Sequence, residues 1–182
     1  MLIKNKIPIT CLGARIGILS GSFDPPHLGH KLLAIVAMKT KKLDQVLIIP
    51  CAAHPNGKQL SKFEDRITMC ELTFLEFKNI SISRIEEKLP FPNYTFQTLE
   101  LIYKSYPQKK IFFIAGSDLF DDINKWKNID KIKQLATLVF FNRENVYQQA
   151  KSRLIREKIY SRNLQHLDPK VANYITKNNI YS

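Results

Sequence analysis

The chain has 182 residues, 45% of them hydrophobic, enough to bury one sizeable core at about the length of a single domain. It contains no run of five or six like charges and no low-complexity stretch, which excludes a mainly disordered chain. The formal charge of +12, from 28 Lys plus Arg against 16 Asp plus Glu, attracts nucleotides, nucleic acids or acidic membranes without choosing among them.

The basic residues are spread along the chain, denser between Lys151 and Arg162, and are not interleaved with aromatic residues as on an RNA-binding surface. No nucleic-acid partner is expected. Cys11, Cys51 and Cys70 are odd in number, widely spaced and not arranged as CxxC. They point to neither a disulfide framework nor a zinc cluster, and to a reducing cytoplasm. Residues 1–12 lack the apolar core of a signal peptide. No run approaches the length of a membrane span, so no membrane association is expected.

Apolar runs of strand length alternate with segments of helical period, the pattern of a parallel sheet covered by helices. Ile16 to Ser20 reads as a buried strand, Pro26 to about Lys39 as a helix, Gln45 to Pro50 as a second strand, and Lys62 to about Phe77 as another helix. Ile80 to Ser83 is a short strand. Thr95 to about Tyr106 is a helix with Thr95 as its N-cap. Ile111 to Ala115 and Leu138 to Asn142 supply two more strands. From Tyr147 the reading is helical, with a break near His166 to Pro169 and a last short helix around Val171 to Thr176. No repeat or linker divides the chain. One domain over residues 14–182, with residues 1–13 as an N-terminal extension, is the expectation.

Ligands of open parallel sheets bind beyond the carboxyl ends of the strands, so function is to be sought after Ser20, Pro50, Ala115 and Asn142. Ser20-Gly21-Ser22-Phe23-Asp24-Pro25-Pro26-His27-Leu28-Gly29-His30 follows the first strand and opens the first helix. Gly21 permits a close backbone approach or a positive φ, and the small Ser20 and Ser22 leave backbone N–H groups open to a phosphate. Asp24 can cap the helix, and proline suits its first turn. His27 and His30, at i and i+3, place two imidazoles on one face near the positive end of the helix dipole, where anions are welcome. Donors so held can neutralise charge building on a polyphosphate without a covalent intermediate. A pair of metal ligands, or surface histidines beside a tight turn, are the plainer readings.

The string resembles the signature of the HxGH nucleotidyltransferase superfamily, and Gly-x-Phe-Asp-Pro-x-His-x-Gly-His is similar to that of its nicotinate-mononucleotide adenylyltransferase branch. Asn93-Tyr94-Thr95 with Thr98-Leu99 is similar to the branch's Ser-Tyr-Thr-x-x-Thr-Leu. Ala115-Gly116-Ser117-Asp118 followed by Trp126-Lys127 is similar to its Gly-Ala-Asp and Trp-Lys elements.

The resemblance implies a Rossmann-like α/β fold, a parallel sheet with helices on both faces and a small helical C-terminal part. It also implies adenylyl transfer from ATP to nicotinate mononucleotide, in NAD biosynthesis, with Mg²⁺ accompanying ATP and no protein-held metal. His27 and His30 would be the catalytic contacts to the ATP phosphates. Ser20, Gly21, Ser22 and Phe23 would form the ATP-binding turn, Gly29 would leave room for the adenosine, and Gly116 and Asp118 would meet the ribose. Thr95 and Trp126 would hold the pyridine ring of the mononucleotide, although Thr95 also suits an N-cap and a lone Trp a core anchor. Lys58, in the loop from Cys51 to Ser61, is a phosphate contact or a solvated lysine. Asp65-Arg66 reads as structural.

The resemblance covers roughly residues 14–143 well. Beyond them the family's Ile-Ser-Ser-Thr-x-Ile-Arg corresponds to Ala150-Lys151-Ser152-Arg153-Leu154-Ile155-Arg156, after a shortened stretch. Ser152 and Arg156 can still donate to ATP phosphates there. The departure keeps open a degenerate or differently specific relative that binds nucleotide without this turnover.

Overall fold

The computed structural model describes residues 13–54, 56–142, 155 and 164–181. Five strands, β1 (Arg15–Gly21), β2 (Gln45–Pro50), β3 (Ile80–Ile82), β4 (Lys110–Gly116) and β5 (Thr137–Phe141), form one sheet in the order β3-β2-β1-β4-β5. Every pair is parallel. β2 is buried at all six positions, as expected of a central parallel strand covered on both faces.

Alternation along the strands feeds two cores. Leu19, Val46, Ile48, Phe112 and Ile114 point to one face, where they meet Leu33, Ala34 and Ala37 of α1 (Leu28–Thr40) and Cys70 and Phe74 of α2 (Phe63–Phe74). Ile16, Ile18, Leu47, Ile49 and Phe113 point to the other, against Leu99 and Ile102 of α3 (Thr95–Ser105) and Ile132 of α4 (Ile129–Leu135). At Gly17 a Cβ would come within 2.8 Å of both Leu43 and Ile114 side-chain carbons, so the first face packs directly on the β1 backbone. A third cluster docks α5 (Pro169–Lys177) on α2 through Met69, Val171 and Ile175, joined by Ile155 and Leu167.

Each expected strand is present to within a residue or two, but the helices differ at their ends. α1 begins at Leu28, two residues later than expected, because His27 is still extended at φ −146°. α2 stops at Phe74, since the chain must turn through Phe77 to deliver Ile80 beside Val46. The N-cap of α3 is Tyr94 and not Thr95: the extended Tyr94 donates its N–H to Gln97 Oε1 at 2.8 Å, and Thr95 is the first helical residue. α4 and the 3₁₀ turns Ile85–Lys88, Ser117–Leu119 and Ile123–Lys125 were not foreseen. A seven-residue helix with only Ile132 fully buried carries too little periodicity to stand out. The helical reading from Tyr147 falls mostly outside the described residues. Among the described residues no helix is long and apolar enough to cross a membrane.

The chain leaves β1 toward β2 and β3 on one side and returns to β4 and β5 on the other. The strand order therefore reverses between β1 and β4, and a crevice opens at their carboxyl ends.

Candidate active site

The turn after β1 is built from buried charge. Phe23, not Gly21, takes the left-handed conformation, at φ 48°, with its ring 1% exposed and packed 3.6 Å from where a Gly21 Cβ would lie. Burial of the ring offsets a backbone cost of about 1 kcal/mol. Asp24 does not cap α1. Two prolines hold it away from the helix, and its buried carboxylate instead accepts from Ser61 N–H (3.3 Å), Ser61 Oγ (2.5 Å) and Tyr181 Oη (2.6 Å). Arg66, 1% exposed on α2, donates through Nη1 to the carbonyls of Ser22 (3.0 Å) and Cys51 (2.8 Å) and through Nε to that of Ser61 (3.1 Å). One guanidinium thus ties the β1 turn to the β2 loop, the structural role expected of Asp65-Arg66. Asp65 accepts from Tyr174 of α5 at 2.9 Å.

His27 is the N-cap of α1 and His30 lies in its first turn. The His27 N–H donates to His30 Nδ1 at 3.2 Å, and the rings stack at 3.7 Å and 28°. Phe23 lies 4.7 Å from the His30 ring. The extended cap thus brings the imidazoles together although only His30 is helical. His27 is 1% exposed, His30 is half-buried, and Gly29 between them is buried. The carbonyl of His166 covers the start of α1 by accepting from Leu28 N–H at 3.0 Å.

A cleft of about 760 Å³ occupies the crevice between β1 and β4. Ser20, Gly21 and Ser22 border it, and so do Tyr94, Thr95 and Trp126. Two groups of expected contacts therefore share one space. Trp126 is half-buried, its ring T-shaped to Phe113 at 5.8 Å and 84°, so packing and a place in the cleft lining coexist. His27, His30, Phe23, Gly29, Gly116 and Asp118 do not border this cleft. Gly116 ends β4, and Asp118 is exposed on the turn that follows. Lys58 is exposed and also outside the cleft wall, to which its loop contributes His54 and Asn56. Ser152 and Arg156 lie outside the described residues.

Sequence reasoning overlooked Glu86 and passed over the side chain of Asn93. Glu86, 3% exposed in the 3₁₀ turn, accepts from Thr98 Oγ1 (2.9 Å) and Ala52 N–H (3.3 Å). Desolvation raises its pKa, opposed by hydrogen bonds from Thr98, Ala52 and Ser20 and by the charge of Arg66. Asn93, 4% exposed, accepts from Ala53 N–H at 3.1 Å and donates to the Glu86 carbonyl at 3.3 Å. Together they fasten the loop after β2 to the start of α3. In Ile85-Glu86-Glu87-Lys88 such a glutamate reads as one more solvated charge, so only the invitation of Asn93 beside Tyr94-Thr95 hinted at it. Cys51, also in the wall, has its pKa raised by burial, and that of His54 is lowered by burial and by Lys58. Among the described residues no group of three or more His, Cys, Asp or Glu is placed to hold a metal ion.

The sequence model of the cytidylyltransferase-like family matches residues 18–176. A protein of Shouchella clausii named "probable nicotinate-nucleotide adenylyltransferase" is 36% identical over 131 residues, 71% of this chain and 68% of its own. One of the same name from Methylacidiphilum infernorum is 30% identical over 187 aligned positions, covering 92% of each chain. The solved nicotinic acid mononucleotide adenylyltransferase of Plasmodium falciparum, complexed with NaAD, has the same fold, with a TM-score of 0.77 over 93% of this chain and 98% of that one at 18% identity.

Proposed function

Since this chain belongs to the nicotinate-nucleotide adenylyltransferases of the cytidylyltransferase-like family, we propose that its cleft joins the AMP of ATP to nicotinate mononucleotide, forming nicotinate adenine dinucleotide and pyrophosphate. The observation that carries this reading is the meeting of the Ser20–Ser22 turn with Thr95 and Trp126 in one cleft at the switch point of the sheet.

A phosphate oxygen of the mononucleotide attacks the α-phosphorus of ATP, the bond to the β-phosphate oxygen breaks, and pyrophosphate carries away the electron pair. Catalysis of this kind is positioning plus stabilisation of phosphoryl charge and needs no protein nucleophile. In this reading His27 and His30 donate to the ATP phosphates. The backbone of Ser20, Gly21, Ser22 and Phe23 shapes the approach, with Gly29, Gly116 and Asp118 on the adenosine side. Ser152 and Arg156 add phosphate contacts on the strength of their sequence positions. Thr95 and Trp126 hold the pyridine ring, and Lys58 meets the mononucleotide phosphate. Magnesium enters as part of the MgATP substrate, carried by phosphate and water oxygens.

Pyrophosphate release from MgATP by the purified protein, with nicotinate mononucleotide, nicotinamide mononucleotide or no acceptor, tests this. Release that depends on a pyridine mononucleotide is the expected outcome, with the nicotinate form preferred. ATP binding without release for any acceptor would overturn the reading in favour of a degenerate relative, the alternative raised by the altered segment from Ala150 to Arg156.

A further inference from the structure

Nicotinate and nicotinamide mononucleotides differ by one charge on the ring substituent, so the cleft can separate them most directly with an uncompensated cation near the ring. Five side chains able to carry charge border the cleft: His54, Glu86, Asp122, Lys125 and Lys127. Four are accounted for. Lys125 Nζ is paired with Asp122 Oδ1 at 2.7 Å. Both oxygens of Glu86 accept hydrogen bonds, from Thr98 and Ala52, and Ser20 adds another. His54 is pushed toward its neutral form by burial and by Lys58.

Lys127 remains. Among the described residues it has no carboxylate partner; its Nζ lies 4.3 Å from the centre of the Tyr94 ring, beside Thr95 and next to Trp126 in sequence. A cation resting on an aromatic face keeps its charge and surrenders only part of its hydration. It can therefore turn to a carboxylate without first breaking an ion pair. From this juxtaposition we propose that the Lys127 ammonium is the specificity-determining group for the acid over the amide form of the pyridine mononucleotide. The inference rests on the adenylyltransferase reading above, and it adds a side-chain role that the packing of Trp126 alone does not supply: an aromatic face accepts both rings alike.

The test compares wild type, Lys127→Met and Lys127→Arg in pyrophosphate release with each mononucleotide at saturating MgATP. Methionine keeps an unbranched apolar stem for the Tyr94 ring while removing the charge. The expected result is a fall of about tenfold in kcat/KM for the nicotinate form and a change within about twofold for the nicotinamide form, with arginine restoring most of the preference. Equal losses on both forms would place the ammonium on a shared group such as the phosphate and overturn the inference, as would an unchanged ratio. Trp126 is the only tryptophan, so quenching of its fluorescence by each mononucleotide reads binding without turnover. If wild type released no pyrophosphate, the functional reading would fall, while a weakened nicotinate titration in Lys127→Met alone would still support the inference and unchanged titrations would refute it.

Discussion

The two walls of the cleft are held by different physics. On the β1 side the wall is the turn from Ser20 to Ser22, and it and the segment behind it to His30 are braced by buried charge: Arg66 donates to three carbonyls, and Asp24 accepts from Ser61 and Tyr181. On the other wall Tyr94, Trp126 and Lys127 are half-buried or exposed, with Lys127 over the Tyr94 ring and Trp126 edge-on to Phe113. Hydrogen bonds to buried charges fix direction to within a few tens of degrees, whereas aromatic contacts tolerate sliding. The first wall suits atoms whose alignment sets the rate. The second suits a ring whose identity must be sampled before chemistry.

This contrast predicts that lesions on the β1 side cost rate and stability while those on the other cost affinity for one substrate. His27→Ala should give the largest effect, a fall in kcat of roughly 10²- to 10³-fold at saturating substrates with a circular dichroism spectrum like that of wild type. Retention of full turnover would remove the imidazole from the mechanism. Arg66→Met should lower unfolding free energy by about 3 kcal/mol in urea titrations, because three carbonyls lose a charged donor in a buried site. A loss under about 0.5 kcal/mol would mean that the turn is braced by something other than this guanidinium.

Trp126→Ala should raise the apparent KM for the mononucleotide by about tenfold and leave that for ATP nearly unchanged. An equal rise in both would assign the ring to packing against Phe113 and blur the distinction between the walls. The smallest effect concerns Glu86, whose folded pKa is raised by desolvation. A carboxyl whose folded pKa exceeds its unfolded one stabilises the fold fully below the unfolded value and loses that contribution as pH rises through the folded value. Stability should therefore decline as pH climbs from the ordinary carboxylate range through the raised value, and this component of the slope should vanish in Glu86→Gln. Identical pH profiles of the urea midpoint for the two proteins would contradict the assignment.

Part of the cleft lining was legible locally. Ser20 to Ser22 open one uninterrupted string that runs to His30, and Thr95 and Trp126 stand in short motifs that the family resemblance singled out. Their support was not legible. Arg66 lies 44 residues from the Ser22 carbonyl that it holds, and Tyr181 lies 157 residues from Asp24. Phe23 adopts a positive φ beside a glycine better suited to it, because its ring is required in the core. Tyr94 displaced Thr95 as helix cap because the partner that fixed the end was the side chain of Gln97, a choice settled by backbone geometry.

The sequence by itself determined the parallel α/β class, the strands and the residues offered at their carboxyl ends, since hydrophobic period and local motif are properties of neighbours along the chain. Only the tertiary structure decided which of those residues share a cleft, that the buried Glu86 and Asn93 border it, and that Lys127 stands there as a cation without a carboxylate partner among the described residues. Burial and pairing are set by groups brought together from distant positions, and no local pattern encodes the distance at which a charge will find its neighbour.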